Sequence, residues 1–385
     1  MKRVLTAILC LILCCGCSDT AKKQDEKITE TVGMWITYSE LSAMSRSSGG
    51  FAAAFTEAVE KAKQCGINTL FVHTRAFCDA VYKSDIFPRA AYIEAGTDAL
   101  GVMTDIAHQN GLTLHAWINP YRVSTSVTDI SALPDGSPAK IWLTDSDPNN
   151  DRNVCITEGG IYLSPASPDV KKLILEGVRE IIENYDVDGI HIDDYFYPTT
   201  EALIDEAFYS EYTQSVAEPI PLEHWRRKNV SSLVNSIYCT VKAHDNGLRF
   251  GVSPAADLDR CYNTLYADIE GWIGGGYIDY IMPQLYFGFE YPDQNFRFDN
   301  LLTKWLDLTE GKGVELYIGL ANYKIGTDSV PDAAEWGRDT DIIARQIDLI
   351  RENGGRGFVF FSYSSLFSEN ELNKQQYNNI KQRMN

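Results

Sequence analysis

The chain has 385 residues, 44% of them hydrophobic and 11% aromatic, a composition that excludes an intrinsically disordered protein. Its formal net charge of −19 excludes DNA and RNA as partners, because nucleic-acid binding depends on Lys and Arg side chains that neutralise phosphates. The same charge disfavours adhesion to a polyanion, so any polymer target is expected to be recognised by stacking and hydrogen bonds.

The N-terminus has the pattern of an export signal. Two basic residues follow the initiator Met, residues 4–15 are apolar, and a small residue precedes Cys17. This apolar run is too short to span a membrane. Because Gly16-Cys17-Ser18 is similar to a lipoprotein processing site, we expect lipidation of Cys17. Cys14 stands where such sites usually carry Leu, and the alternative is plain secretion after cleavage nearby.

A polar segment follows the signal and has the composition of a flexible linker. We therefore expect a lipoprotein signal peptide over residues 1–17, a linker over 18–30 and a single domain over 31–385. The mature protein is expected to be a monomer in the cell envelope, outside the cytoplasm, held to a membrane by its N-terminal lipid.

From residue 31 onwards, short β-rich apolar runs alternate with amphipathic stretches, a pattern that favours a parallel sheet with helices outside it. Eight strands are predicted, over residues 31–37, 68–74, 112–118, 188–193, 249–254, 279–284, 314–320 and 357–363. Helices are predicted over residues 51–65, 97–110, 169–185, 222–246, 262–274 and 338–353. Eight such units in about 330 residues predict a (β/α)8 TIM barrel.

Turn signals and connection lengths add detail to the barrel. Left-handed turns are expected at Gly66, Gly111, Gly247 and Gly354, each just before a strand. No Gly-rich phosphate fingerprint follows any strand, which argues against a nucleotide-binding fold. The longest connection, residues 120–168, follows the third strand, so we expect it to wall or cover the cleft; the alternative is a surface excursion.

Polar residues at the carboxyl ends of barrel strands point into one shared cleft, whereas elsewhere on a strand they are buried unpaired. This rule selects carboxylates, amides and aromatics, an inventory suited to sugars, whose flat C–H faces stack on aromatic rings and whose hydroxyls need polar partners. Taken singly, each aromatic is more often core than platform. The predicted substrate-binding residues are Trp35, Tyr38, Glu40, His73, Arg75, Trp117, Asn119, Tyr121, His191, Tyr195, Asp257, Gln284, Tyr286, Asn322 and Tyr363. Ser253, Tyr323 and Ser362 also lie at strand ends.

The strongest local signal is DVDGIHIDDYFYP, in which the fourth strand ends in two adjacent carboxylates, Asp193 and Asp194. Glycosidic cleavage needs one protonated carboxyl to donate to the leaving oxygen and a second group to stabilise the anomeric carbon. A side-by-side pair suits substrates whose 2-acetamido group is the nucleophile. Asp193 would then hold the acetamido N–H and Asp194 would be the acid/base, or the reverse.

Other roles for the pair stay open at this stage. A conventional scheme makes Asp193 the nucleophile or base, with Asp257, Glu40 or Glu290 as a distant partner. A purely structural pair would need a cation or an arginine such as Arg75.

The histidines and cysteines suggest no further chemistry. His191 could tune the pair or bind substrate, although a lone histidine in a barrel is more often structural, and the same holds for His73 and His115. No zinc or calcium spacing occurs, so neither a metal nor a cofactor is expected. The cysteines outside the signal are expected to be buried small hydrophobes rather than a disulfide framework: Cys65, Cys78, Cys155, Cys239 and Cys261.

Seven in-order segments resemble the glycosyl-hydrolase-like 10 family of bacterial lipoproteins, from about Val32 to Leu366. They are GMWITYSEL, FVHTRAFCDAVYKSDIFP, LHAWINPYR, YDVDGIHIDDYFYP, FGVSPAA, IDYIMPQLYF and GFVFFSY. The resemblance implies a barrel, and its members include peptidoglycan glycan hydrolases that prefer strands without stem peptides. DGIHIDDY also takes the place of the chitinase DGxDxDxE run, but His191 and Tyr195 replace its Asp and Glu, which moves the expected acid to Asp194.

Three functions therefore remain as hypotheses. The first is a cell-envelope glycosidase that cuts peptide-free peptidoglycan glycan strands, and the second is a hydrolase of another polysaccharide. The third is a barrel that binds glycan without cleaving it.

Overall fold

A computed structural model describes residues 30–125 and 127–384. The predicted signal peptide, Cys17 and all of the predicted linker except Glu30 lie outside the described residues. None of the helices within the described ranges is long and apolar enough to cross a membrane.

Eight parallel strands form a closed barrel, which confirms the predicted fold. They are β1 (Thr31–Ile36), β2 (Thr69–Arg75), β3 (Thr113–Ile118), β4 (Gly189–Ile192), β5 (Arg249–Val252), β6 (Tyr280–Ile281), β7 in two segments (Glu315–Leu316 and Ile318–Leu320) and β8 (Gly357–Phe360). The first segment of β7 pairs with β6 and the second with β8, while β8 pairs with β1. The ring of strands closes through β7.

The helices lie mostly outside this ring. The α-helices are Tyr38–Ser45, Phe51–Gln64, Ala99–Gln109, Pro138–Thr144, Pro168–Asn184, Glu206–Ser215, Leu222–His244, Leu258–Asn263, Ile269–Gly275, Phe298–Thr309, Ala333–Trp336, Ile342–Glu352, Tyr363–Leu366 and Glu371–Met384. Single 3-10 turns span Ile130–Ala132, Asp151–Asn153, Ala202–Ile204, Gln294–Phe296 and Asn322–Lys324.

The helix Pro168–Asn184 shows how local sequence makes these elements. Ser167 caps it by accepting a hydrogen bond from the Val170 N–H at 3.1 Å, and a proline opens its first turn. Val170, Ile174, Val178 and Ile181 recur every three or four residues and are buried, so one apolar stripe faces the barrel.

The barrel has two apolar layers. An inner cluster fills its interior and contains Trp35, Phe71, Trp117, Tyr280, Met282, Tyr317 and Val359. The larger outer cluster lies between strands and helices. The large inner side chains pack directly against the backbone of neighbouring strands. At Gly251 this leaves no room for a side chain, because a Cβ there would lie 2.1 Å from the Tyr280 ring.

Three local predictions need correction or addition. The predicted helix over 262–274 is two short helices, Leu258–Asn263 and Ile269–Gly275, because the Asp268 carboxylate caps the second by accepting from the Gly271 N–H. Gly66, Gly111 and Gly354 have the expected positive φ, but Gly247 does not, since the helix before it ends at His244. The helices Phe298–Thr309 and Glu371–Met384 were not predicted.

The long connection after β3 forms a separate antiparallel sheet of strands Arg122–Thr125, Val154–Thr157 and Gly160–Leu163. The first residue of this sheet, Arg122, contacts two of the predicted cleft residues, Asn119 and Tyr195. The connection therefore contributes to the wall of the cleft, as expected from its position.

Candidate active site

Asp193 lies directly after β4 and accepts hydrogen bonds from two side chains, the indole of Trp117 and the amide of Asn119. Its Oδ2 accepts hydrogen bonds from Trp117 Nε1 at 3.1 Å and from Asn119 Nδ2 at 2.5 Å. The Tyr195 backbone N–H lies 3.5 Å from Oδ1. Only 3% of Asp193 is exposed. Strands β3 and β4 are neighbours in the barrel, which brings Trp117 and Asn119 next to Asp193.

The Asn119 amide is oriented by a chain of hydrogen bonds that begins at β1. The Tyr38 backbone N–H donates to His73 Nδ1 at 3.1 Å, which places the ring proton on Nε2. His73 Nε2 then donates to Asn119 Oδ1 at 2.8 Å, and the ring stacks on Trp117 with centroids 3.3 Å apart. Because its oxygen accepts from His73, Asn119 donates from Nδ2 to Asp193. Burial lowers the pKa of His73 well below its usual value, so the ring is neutral.

Asp194 has a different environment. It is partly exposed, and its Oδ1 accepts from Gln284 Nε2 at 3.2 Å. Gln284, which follows β6, also donates to the Ser253 carbonyl oxygen at 3.0 Å. The second carboxylate oxygen of Asp194, Oδ2, accepts no hydrogen bond from a side chain in the described part of the chain.

The electrostatics of the pair favour retention of a proton near neutral pH. Burial raises the pKa of Asp193 to about 7; Arg122 opposes this rise and the neighbouring Asp194 adds to it. Burial also raises the pKa of Asp194, while the Gln284 hydrogen bond and the positive charges of Arg260 and Arg122 lower it. With one of its carboxyls protonated, the pair has both a proton donor and an anion.

Two tyrosines border the pair. Tyr195 is 44% exposed, and the Arg122 guanidinium lies 4.5 Å from its ring centroid. Burial raises the pKa of Tyr286 well above its usual value, and the charges of Asp194 and Asp193 add to the rise. Tyr323 is 43% exposed and packs edge-on against Tyr286. This arrangement offers aromatic surface beside two carboxyl groups, which suits a sugar ring.

Arg122, rather than Arg75, is the cation near the carboxylates. The register of β2 shifts between His73 and Arg75. Arg75 therefore faces outward, where its guanidinium lies 4.3 Å from the Phe87 ring centroid and packs on Gly177. Sequence reasoning missed Arg122, although it ends the LHAWINPYR segment.

Trp35 and His191 lie deeper in the barrel than predicted. Trp35 is 1% exposed and donates from Nε1 to His191 Nε2 at 3.4 Å. His191 Nδ1 lies 3.2 Å from the Tyr280 hydroxyl, which also contacts His115 Nδ1 at 2.9 Å. Both residues form a buried layer beneath the rim, and their contact with substrate stays a prediction.

Glu40 is occupied by structural hydrogen bonds. Its Oε2 accepts from the Thr37 backbone N–H at 2.7 Å, and its Oε1 accepts from Ser362 Oγ and the Ser364 N–H, both at 2.6 Å. Glu40 thus ties the end of β1 to the end of β8. These bonds give Glu40 a structural role, and its role in substrate binding, or as a distant catalytic partner, stays a prediction.

Three further predicted residues contact other parts of the protein. Tyr121 is 2% exposed within the outer apolar layer. Asn322 is fully buried and donates to the Ser362 carbonyl oxygen at 3.2 Å. Tyr363 faces the charges of Lys61 and Glu57 on the helix Phe51–Gln64. Each is thus engaged with protein groups, and its contact with substrate stays a prediction.

The remaining carboxylates at the rim have other partners. Asp257 caps the helix Leu258–Asn263 by accepting from the Asp259 N–H at 3.0 Å. Glu290 pairs with Arg338 at 2.5 Å, and both are more than 60% exposed.

All five cysteines in the described residues are free, and only Cys239 is exposed.

The opposite end of the barrel also carries a cavity, of about 610 Å³. It is lined by residues at the amino ends of strands, among them Thr31, Thr113, His115 and Arg249. Conserved chemistry in such barrels lies at the carboxyl ends, so this cavity is no competitor for the site at Asp193 and Asp194.

Comparison with known proteins identifies relatives. The model of the family described as Glycosyl hydrolase-like 10 matches residues 30–337. Glycosyl hydrolase YngK of Bacillus subtilis (strain 168) is 32% identical over 339 residues, covering 81% of this chain and 63% of the relative. Glycosyl hydrolase DigH of Escherichia coli (strain K12) is 30% identical over 353 residues, covering 84% of this chain and 76% of the relative. The chain thus spans less than two thirds of the Bacillus relative.

Solved structures share the fold. The PgaB (BpsB) glycoside hydrolase domain from Bordetella bronchiseptica has a TM-score of 0.60 at 12% identity, covering 90% of this chain and 98% of that domain. The catalytic domain of β-amylase from Paenibacillus polymyxa has a TM-score of 0.59 at 11% identity, covering 92% and 98%. At these identities the likeness shows the barrel fold alone.

Proposed function

The chain belongs to the glycosyl hydrolase-like 10 family, and from this premise we propose that it cleaves glycosidic bonds in peptidoglycan glycan strands, preferentially those without peptides. The observation that carries the proposal is the carboxyl pair after β4, in which burial raises the pKa of Asp193 to about 7. A pair that holds one proton near neutral pH has the acid and the anion that glycoside cleavage needs.

The two environments favour one division of labour. Asp193 is fixed by Trp117 and Asn119 through Oδ2, so its Oδ1, once this carboxyl has ionised, is in place to hold the N–H of a 2-acetamido group. The carbonyl oxygen of that acetamido group then attacks the anomeric carbon. Asp194, partly exposed and with Oδ2 facing no other side chain of the described residues, donates its proton to the leaving glycosidic oxygen. It next removes a proton from the water that opens the cyclic intermediate.

The surroundings of the other acidic residues favour this scheme over a conventional one. A distant nucleophile or base needs a carboxylate free to reach the sugar. Glu40 accepts from four backbone or hydroxyl donors, Glu290 is in a surface ion pair, and Asp257 caps a helix. Glycan strands of peptidoglycan carry acetamido groups, which supports them as the substrate class.

The location proposed for this activity is the cell envelope. A lipid on Cys17 would tether the barrel to a membrane outside the cytoplasm, and the polar residues after it would give the barrel reach. Labelling with a fatty-acid analogue tests the anchor: the wild-type chain should be labelled and a Cys17→Ser variant should not. Labelling of the variant would refute the anchor without touching the proposed chemistry.

The activity is tested by incubating the purified protein with peptide-free glycan strands and with intact peptidoglycan, and measuring new reducing ends. Asp194→Asn is expected to lower kcat by about 10²–10⁴-fold, the usual contribution of a general acid. Asp257→Asn, another carboxylate at the rim, is the matched control and should retain activity. Cleavage of plant or host glycans but not of peptidoglycan would redirect the proposal to another polysaccharide, and tight binding without turnover would refute hydrolysis.

A further inference from the structure

Arg122 is an unusual cation for a barrel rim because it is almost completely buried. It is 5% exposed, and its guanidinium lies between two aromatic rings, 4.7 Å from the Phe77 centroid and 4.5 Å from the Tyr195 centroid. Stacking of this kind holds the guanidinium plane in one orientation.

The hydrogen bonds of Arg122 connect it to the carboxyl pair through one amide. Nε donates to the Ala76 carbonyl oxygen at 2.9 Å, and Nη2 donates to Asn119 Oδ1 at 3.0 Å. Asn119 Oδ1 therefore receives donors from both Arg122 and His73. With two donors on its oxygen, the Asn119 amide has a single satisfactory orientation, in which Nδ2 donates to Asp193.

No carboxylate among the described residues lies within ion-pair distance of Arg122, so its charge is not cancelled by a direct partner. A buried cation without a contact ion pair exerts its potential on the nearest ionisable groups. They include three carboxyls, Asp193, Asp194 and Asp79, and at each of them the charge of Arg122 lowers a pKa that burial raises.

We propose that Arg122 is a positioning residue that stabilises the anionic form of the Asp193–Asp194 pair and fixes the Asn119 amide toward Asp193. The catalytic part of this inference rests on the proposed function, whereas the electrostatic part does not. Without Arg122, Asp193 keeps its proton to higher pH, because the charge that favours its anion is gone. At neutral pH less of the protein then has the Asp193 anion that holds the acetamido N–H in the scheme above.

Other charges that face the pair are weaker competitors for this role. Arg260, on the helix after β5, is exposed to solvent, which screens its effect on Asp194. His73, on β2, is neutral because burial lowers its pKa well below the usual value. Tyr195 after β4 and Tyr286 after β6 have raised pKa values and stay uncharged at neutral pH. Arg122 is therefore the buried positive charge on which the ionisation of the pair depends.

The test uses the Trp117 indole, which donates to Asp193 and so reports its ionisation independently of turnover. In the ¹⁵N-tryptophan-labelled chain, which has seven tryptophans, the Trp117 N–H signal is assigned with Trp117→Phe and followed against pH. The midpoint should lie near 7 in the wild type and should rise by about one pH unit or more in Arg122→Gln, because loss of a nearby cation stabilises the protonated form.

Two further variants keep the result decisive. Arg122→Lys retains the charge, so its midpoint should stay near the wild-type value, while kcat falls because Lys cannot make both hydrogen bonds and stack. Arg260→Gln, the exposed control, should move the midpoint less than Arg122→Gln does. If Arg122→Gln does not fold, a midpoint in Arg122→Lys displaced upward by a full pH unit refutes the role of the charge.

The outcomes separate this inference from the proposed function. An unchanged midpoint in Arg122→Gln, in a protein whose wild type cleaves glycan, overturns the role of Arg122 alone. A raised midpoint in a protein that cleaves no glycan overturns the proposed function and leaves the electrostatic role of Arg122 standing.

Discussion

Replacement of Asp193 by Asn should stabilise the protein, and the gain should grow with pH. Burial raises the pKa of this carboxyl from 3.8 to about 7, so the folded protein must ionise a buried group that is already ionised in the unfolded chain. A folded-state pKa above the unfolded one stabilises the fold at low pH, and that stability is lost as pH rises toward the folded pKa. The folded and unfolded pKa values of Asp193 differ by about three pH units. At 1.36 kcal/mol for each unit, the free energy of unfolding falls by roughly 4 kcal/mol as pH rises past both values.

Asn at position 193 keeps an oxygen to accept from Trp117 and Asn119 and removes the charge. Urea unfolding followed by tryptophan fluorescence, at pH 4.5 and pH 8, should therefore show a stability advantage of Asp193→Asn over wild type that is larger by about 2–4 kcal/mol at pH 8. Asp257→Asn, at a capping carboxylate, is the control and should show no such gain. An advantage that is equal at both pH values, or smaller at pH 8, would refute the assignment of a buried, proton-retaining carboxyl.

Three other changes probe the surroundings of the site and the fold. Tyr195→Ala should raise KM for glycan more than it lowers kcat, by about 10-fold if one ring–sugar contact is lost; an unchanged KM would mean that the exposed ring does not touch substrate. Asp205→Ala should destabilise the fold by about 3–5 kcal/mol in urea unfolding, since it leaves the fully buried Arg226 without its ion pair, and a loss below 1 kcal/mol would contradict this reading. Glu40→Gln should lower the melting temperature, because it weakens the bond to the Ser364 N–H, while leaving the pH profile of kcat in place; a displaced profile would return Glu40 to the catalytic machinery.

The barrel was predictable because its signals are periodic and repeated. Each strand is a short apolar run between helix-ending and helix-starting residues, and the eight runs lie within a few residues of the observed strands. The break in the helix predicted over 262–274 was less predictable, since it depends on capping by one side chain, Asp268. Local competition between a cap and a helix is hard to judge from composition.

At the site, strand ends predicted Asp193, Asp194, Asn119 and Gln284 at one rim, and the structure brings these four together. The depth of a residue was not predictable: His191 lies only two positions before Asp193 on the same face, yet it belongs to the layer below. The face of the sheet on which a side chain lies was predicted wrongly where the strand is irregular. The register shift in β2 turns Arg75 outward, and Arg122, in the connection after β3, is the arginine near the carboxyl pair.

The central claim is tested most directly by a crystal structure of the Asp194→Asn variant soaked with an oligosaccharide of 2-acetamido sugars. The predicted result is an acetamido N–H within hydrogen-bond distance of the Asp193 carboxylate, with the glycosidic oxygen next to residue 194 and a sugar face on Tyr195. A sugar chain that binds elsewhere on the barrel, with Asp193 reaching only protein groups, would contradict the claim.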